Sequence, residues 1–416
     1  MAPSSKKLLP HPGQTDIYPV RLLITNFGTR GDFEPFFALA AQLVAHRHEP
    51  IFAIPESAVP MLEPSGFRYA VIAADNPELR TKINLSWSTH ADAYEASGRL
   101  IEEFAALRSY FPVALKELTE LSSSVSVLIS GPAQPLARIV HETTGVPFVS
   151  VQLSHFGGNG GPAIQEVGER LVNPFRREIG LPTVKDPFTT GANSPQLALY
   201  AMSRHLRPRP ATWPSHYQMT GFFFAEPTYH PPWGLVDFLQ SGPAPVVVTL
   251  GSMPHESPER LLSIILKALD LSGSRAIIQG FDLHPGPLPD NQTAYAVEYV
   301  PHSWLFRLAS CVVTHGGAGT AAAVFRSGIP GIFIPHSEVY DQRYWSQLAY
   351  EYGCTIAAIP VQKLDPTTLA HAILQCRGDS MLRNKAFDLG RKVRSERGVE
   401  TARQMIETII ASFGLS

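Results

Sequence analysis

The chain has 416 residues, of which 44% are hydrophobic and 17% charged, with a formal net charge of −2. That length exceeds one ordinary core and fits two domains of roughly 200 residues each. The composition excludes a disordered chain, and the near-neutral charge excludes a nucleic-acid partner held by bulk electrostatics.

Residues 1–18 are polar and contain prolines but no apolar stretch of a secretion signal, so they read as a loose leader. No apolar run approaches the ~20 residues needed to span a bilayer. The three cysteines, Cys311, Cys354 and Cys376, form an odd, sparse set that reads as buried apolar residues in a reducing compartment. Together these predict a soluble, cytoplasmic protein.

Apolar runs at 20–26, 51–54, 69–73, 125–129 and 147–153 predict strands, and 35–46 has apolar residues at helical spacing. Strands alternating with helices imply βαβ units on a parallel sheet. Residues 75–124 break the rhythm with Trp87, Tyr94, Phe104 and Tyr110, and predict helices packed over this first domain. The run Phe222-Phe223-Phe224 suits either one buried strand or a lipid surface. Residues 226–244 are rich in Pro and Gly and read as a semi-rigid linker. After it the alternation restarts, with strands expected at 245–250, 276–279, 295–299, 311–314, 332–334 and 355–359. An amphipathic helix at 399–411 closes the chain.

The richest segment is the glycine block His315-Gly316-Gly317-Ala318-Gly319-Thr320, between an apolar strand and an Ala-rich helical pattern. Glycines there let backbone N–H groups approach an anion, and the helix N-terminus adds partial positive charge. Close packing alone is the competing explanation for such glycines. One strand later come Asp341 and Gln342, a carboxylate and an amide suited to sugar hydroxyls, or to capping the helix that follows. Near the start, Gly28-Thr29-Arg30-Gly31-Asp32 follows the first strand. Asp32 would lie at the top of the first sheet as a candidate base, or else cap the next helix. Arg30 would pair with Asp32 or reach an anion across a cleft.

These residues resemble a known family. Val300-Pro301-His302, the glycine block, Gly328-Ile329-Pro330 and Asp341-Gln342 resemble the donor motif of GT-B fold glycosyltransferases, in the branch of sterol, glycopeptide and macrolide enzymes. The segment from Gly28 to Pro35 resembles the G-[ST]-R-G-D-x-x-P element of the same branch. Weaker similarities lie at 173–182, 208–221 and 246–253.

The resemblance implies an α/β fold of the GT-B kind: two Rossmann-like domains facing a central cleft, with a C-terminal helix crossing back to the first. The expected division is a leader 1–18, an acceptor-binding domain 19–225, a linker 226–244, a nucleotide-sugar domain 245–395, and a crossing helix 396–416. It implies an inverting, metal-independent hexosyltransferase with Asp32 as base. The donor would be held by Arg30, Gly251, Ser252, Val300, His315, Gly317, Ala318, Gly319, Thr320, Asp341 and Gln342. Trp87, His90, His155 and Phe156 are acceptor candidates. The partners implied are a UDP-sugar, UDP-glucose first, and a hydrophobic acceptor such as a sterol or polyketide. No cofactor or metal is expected, and peripheral membrane contact stays open. Tyr340 stands where the family commonly has a small residue before the Asp-Gln pair. A UDP-sugar epimerase of the same fold and a catalytically reduced binding module are the alternatives. A Rossmann dehydrogenase fails because the first strand-turn lacks G-x-G-x-x-G.

Overall fold

The computed structural model describes residues 19–414 apart from 27, 29, 73–107, 109, 133, 155–160, 227, 252–256, 290 and 337–340. In the first half, β1 (Arg21–Thr25), α1 (Arg30–Ala45), β2 (Glu49–Ile54), β3 (Arg68–Val71), α2 (Phe111–Ser122) and β4 (Val127–Ser130) lead on to α3 (Pro135–Thr144). Then follow β5 (Phe148–Gln152), α4 (Gly161–Glu178), β6 (Leu197–Tyr200) and β7 (Tyr217–Met219). All seven strands are parallel, in the order β3-β2-β1-β4-β5-β6-β7. Such strands are covered on both faces, which is why Leu22–Ile24 and Val127–Ile129 are continuous apolar runs, fully buried.

The second half holds α5 (Trp233–Gln240), β8 (Val246–Thr249), α6 (Pro258–Ser272), β9 (Ala276–Gln279), β10 (Gly286–Leu288), β11 (Asn291–Val297) and β12 (Cys311–Thr314). It continues with α7 (Ala318–Ser327), β13 (Gly331–Phe333), α8 (Asp341–Glu351), α9 (Pro366–Gly378), α10 (Ser380–Arg394) and α11 (Gly398–Ser412). Its sheet order is β10-β11-β9-β8-β12-β13, parallel except for the β10–β11 pair. In each sheet the order reverses beside the first strand, between β1 and β4 and between β8 and β12. Ligand crevices of open α/β sheets form at such reversals, beyond the carboxyl ends of the strands.

Several expectations need correction. The segment 355–359 is not a strand; Thr355 makes one isolated bridge to Gly331, and the chain touches β13 again where the Ile359 N–H donates to the Phe333 carbonyl at 2.9 Å. β6, β7 and β10 were not read from the sequence. The 226–244 linker contains α5, whose Leu235 is fully buried in the second core. The three phenylalanines are neither strand nor lipid-facing. Phe223 enters the first domain's core and Phe222 the second's, while Phe224 lies under the Arg326 guanidinium, 4.4 Å from its centre. A single extended segment therefore pins two cores together.

The crossing helix behaves as expected. In α11, Ala402, Ile406 and Ile410, at helical spacing, are buried with Phe36, Leu39 and Leu43 of α1. Where this return passes the first crossing, backbones touch: a Cβ on Gly398 would stand 2.2 Å from the Phe222 carbonyl oxygen. Cys311, Cys354 and Cys376 are all free and buried. Among the described residues no helix is long and apolar enough to cross a membrane.

Candidate active site

The first crevice is built from the end of β1. Gly28 has φ +128°, a conformation that side chains rarely adopt, and the chain turns there directly into α1. The helix begins at Arg30, not at the 35–46 pattern, so Asp32 lies inside its first turn and is not its cap. The Asp32 carboxylate folds back over the turn, and a Cβ on Gly28 would meet its Oδ2 at 2.3 Å. Asn26, fully buried at the end of β1, donates from Nδ2 to the Asp32 carbonyl at 2.7 Å. Its amide in turn needs Gly131 after β4, where a Cβ would stand 1.9 Å from Oδ1. Neither Asn26 nor Gly131 was singled out from the sequence. The available signal was a buried polar residue closing an apolar run.

Arg30 is exposed and turns to the opposite side of α1. Its NH1 is 3.5 Å from Glu34 Oε1, and its guanidinium lies 4.8 Å above the Tyr299 ring. Tyr299 donates its OH to Glu34 Oε1 at 3.1 Å, which ties α1 to the second domain.

The second crevice is built from the ends of β8 and β12. Gly251, at φ +79°, and Gly317 face the His315 ring. A Cβ on Gly251 would stand 2.4 Å from Cε1, and one on Gly317 would stand 2.6 Å from Nε2. The imidazole is thus slotted between two glycine backbones and is only 7% exposed. Gly317 is the N-cap of α7 in extended conformation and has no side chain to bond the helix's first N–H groups. That need is met from elsewhere: the Ala318 N–H donates to Asp341 Oδ2 at 3.0 Å, as does Trp345 Nε1 at 3.0 Å. Asp341 therefore neutralises a neighbouring helix, whereas its own sequence position suggested a cap for α8.

The remaining donor candidates gather around this point. Gly319 is close to the other domain, with its Cβ position 3.9 Å from the Gly31 carbonyl oxygen. Pro35 has no N–H to offer that carbonyl in the α1 ladder. Thr320 is buried in the first turn of α7. Gln342 is 2% exposed, and its Oε1 accepts from the His336 N–H at 2.7 Å. Val300 is buried further along the crevice, where its N–H donates to Gln279 Oε1 at 3.0 Å. Gln279 was also missed by sequence reasoning. Ser252, Tyr340, Trp87, His90, His155 and Phe156 lie outside the described residues.

The two crevices meet. Scarcity of water pushes the Asp341 carboxyl up to about 6; the Trp345 and Ala318 bonds oppose this, and the Asp32 charge adds to it. Two carboxylates from different domains thus sense each other at the facing heads of α1 and α7. Among the described residues no group of three His, Cys, Asp or Glu side chains could hold a metal ion.

Paired sheets, each open at its reversal and facing the other, define a two-domain α/β protein with a crevice between the domains. Comparison with known proteins agrees over nearly the whole chain. Residues 22–156 match the glycosyltransferase family 28 N-terminal domain. Residues 282–407 match the erythromycin biosynthesis protein CIII-like C-terminal domain. The chain is 27% identical to O-mycaminosyltylonolide 6-deoxyallosyltransferase of Streptomyces fradiae, over 93% of this chain and 97% of that protein. It is 26% identical to sterol 3-beta-glucosyltransferase UGT80A2 of Arabidopsis thaliana, over 93% of this chain, but spans only 65% of that enzyme's length. For the sterol 3-beta-glucosyltransferase of Leptosphaeria maculans the identity is 24% and the span falls to 28%. Among solved structures, the kitacinnamycin glycotransferase superposes with a TM-score of 0.73 at 17% identity, covering 94% of this chain and 99% of that one. Spinosyn rhamnosyltransferase SpnG gives 0.70 at 21%, covering 93% and 100%. The chain belongs to the GT-B glycosyltransferases, the class to which the sterol and macrolide enzymes belong.

Proposed function

We propose that this enzyme is an inverting, metal-independent hexosyltransferase. It moves the sugar of a nucleoside diphosphate sugar, UDP-glucose first, to a hydroxyl of a hydrophobic acceptor such as a sterol or polyketide. The observation that carries the reading is the close approach of the heads of α1 and α7: the Cβ position of Gly319 stands 3.9 Å from the carbonyl oxygen of Gly31, next to Asp32, and Asp341 holds the Ala318 N–H beside it. Inverting transfer needs a base on one side of the anomeric carbon and a stabilised leaving group on the other.

In this reading Asp32 takes the acceptor proton. The diphosphate lies on the α7 head, against His315, Gly251 and the Gly317–Ala318–Gly319–Thr320 backbone, where N–H groups and the helix dipole spread its charge. Those groups do the work a divalent ion does elsewhere, so neither metal nor cofactor is needed. Asp341 and Gln342 stand at the sugar end, and Val300 with Gln279 at the base end. Arg30 serves the domain contact through Tyr299 in place of the diphosphate. Two solved relatives of the fold are complexes with thymidine diphosphate, so thymine is the alternative base.

The test is thermal. UDP or thymidine diphosphate should raise the melting temperature by mass action, and His315→Ala should remove most of that rise. An undiminished shift in His315→Ala would take this histidine out of the site. A transfer screen with UDP-glucose, other UDP-sugars and an aglycone set then identifies the substrates.

A further inference from the structure

The cavity between the domains encloses about 470 Å³ and has two unlike ends. One end reaches Ala318 and Gly319 at the head of α7. The other is framed by Arg307, Arg326 and Arg394, with Phe222 and Phe224 of the crossing segment as a wall. Gly319 and Arg326 are seven helical steps apart, roughly 10 Å at the α-helical rise. His315, Thr320, Asp341 and Gln342 do not line this cavity.

Charge at the arginine end does not balance. The cavity's acidic residues are Glu34, engaged by Arg30 and Tyr299 at the far end, and Glu226. Glu226 pairs with Arg326, and its Oε2 is 4.0 Å from Arg307 NH2. Arg394 gains no carboxylate there: its NH1 donates to the carbonyls of Arg326 at 2.5 Å and Ser327 at 3.2 Å. Loss of water, with the charges of Arg326 and Arg307, holds Arg394 below the ordinary guanidinium range. Arg326 also keeps one buried nitrogen, NH1, without a hydrogen-bond partner. Three guanidinium groups thus share one carboxylate. The unsatisfied buried donor of Arg326 costs free energy that an anion would recover, and the exposed guanidinium groups of Arg307 and Arg394 beside it add positive charge.

We infer that the Arg307–Arg326–Arg394 end of this cavity is a second anion site that takes a phosphate-class oxyanion. Guanidinium forks bind such oxygens bidentately, and three converging forks suit a tetrahedral group better than the single planar carboxylate of Glu226. The same group comes either as free phosphate or as the headgroup of a phospholipid. Since Glu226 belongs to the segment that joins the domains, the bound anion displaces a contact of the interdomain joint.

Melting of the full chain with inorganic phosphate at constant ionic strength provides the test. Phosphate should raise the wild-type melting temperature. Arg394→Gln and Arg326→Gln should each weaken its apparent affinity tenfold or more, whereas Glu226→Gln should tighten it several-fold. The opposite sign of the Glu226 variant separates binding from general destabilisation. His315→Ala should keep the phosphate shift. Sedimentation with phosphatidylcholine vesicles, with and without phosphatidate, separates the two sources. Phosphatidate-dependent pelleting that Arg394→Gln abolishes supports the headgroup, and a phosphate shift without pelleting supports the free ion. The inference is overturned by a wild-type protein that answers neither probe, by a phosphate shift untouched in all three variants, or by a shift that disappears in His315→Ala.

Discussion

The heads of α1 and α7 face each other, each following a strand that flanks the reversal of its sheet, yet they differ in the carboxylate they hold. Helix α1 carries its own acidic residue in its first turn, Asp32, folded over Gly28. Helix α7 has no acidic residue in its first turn and a glycine as its cap, so it borrows Asp341 from α8. A carboxylate built into the helix stays with it. A carboxylate on another element can give way to a ligand's phosphate. In the proposed reading one head serves proton transfer and the other exchangeable anion binding, although both are glycine-bearing strand-to-helix turns.

The largest effect should come from removing the charge on the first head. Asp32→Asn keeps the shape but removes the base, and should lower kcat by roughly 10²–10⁴-fold. Nucleotide-induced stabilisation should stay as it is, since the nucleotide lies on the other head. A kcat near wild type with a lowered melting temperature would make Asp32 a structural residue and erase the contrast.

Next comes crowding on the second head. Gly251→Ala places a methyl 2.4 Å from the His315 ring at a φ of +79°, so the ring or the turn must shift. Nucleotide affinity should fall by about tenfold or more, a loss of ~1.4 kcal/mol. Isothermal titration with UDP measures this, and unchanged affinity would show that the His315 slot is not part of the site.

The borrowed carboxylate predicts a pH signature. The folded protein raises Asp341 from 3.8 to about 6, so it favours the protonated form. That contribution to stability is fully present below about pH 4 and is lost as pH rises through 6. Asn at this position accepts the same bonds without titrating. The melting temperature of Asp341→Asn relative to wild type should therefore climb between pH 4 and pH 7. A constant offset across that range would mean the carboxylate is not held in a water-poor seam.

The smallest effect is expected from chelation. If the α7 head alone stabilises the leaving group, transfer should survive excess EDTA. Loss of activity that magnesium or manganese restores would assign that task to an ion.

Much of this was legible in the sequence. The strand at Cys311–Thr314 and the closing helix came within a residue of their observed limits. Apolar runs and 3.6-residue spacing are local signals, and glycines between strand and helix announce a crevice wherever the sheet lies. The same local signals offered Asp32 as the cap of α1, although the helix had already begun at Arg30. They also promised a strand at 355–359, where the chain follows β13 through separate bonds and forms no ladder.

What the sequence determined by itself was the order of elements and the residue types at each crevice, since both follow from neighbours along the chain. Tertiary structure decided the partners. It took Asp341 from its own helix to α7, turned Arg30 from Asp32's side to Tyr299, and split Phe222 and Phe223 between two cores. It also brought Arg307, Arg326 and Arg394 from three separate segments around Glu226. Such pairings depend on how two sheets face each other. That is set by packing between residues hundreds of positions apart, and no periodicity along the chain encodes it.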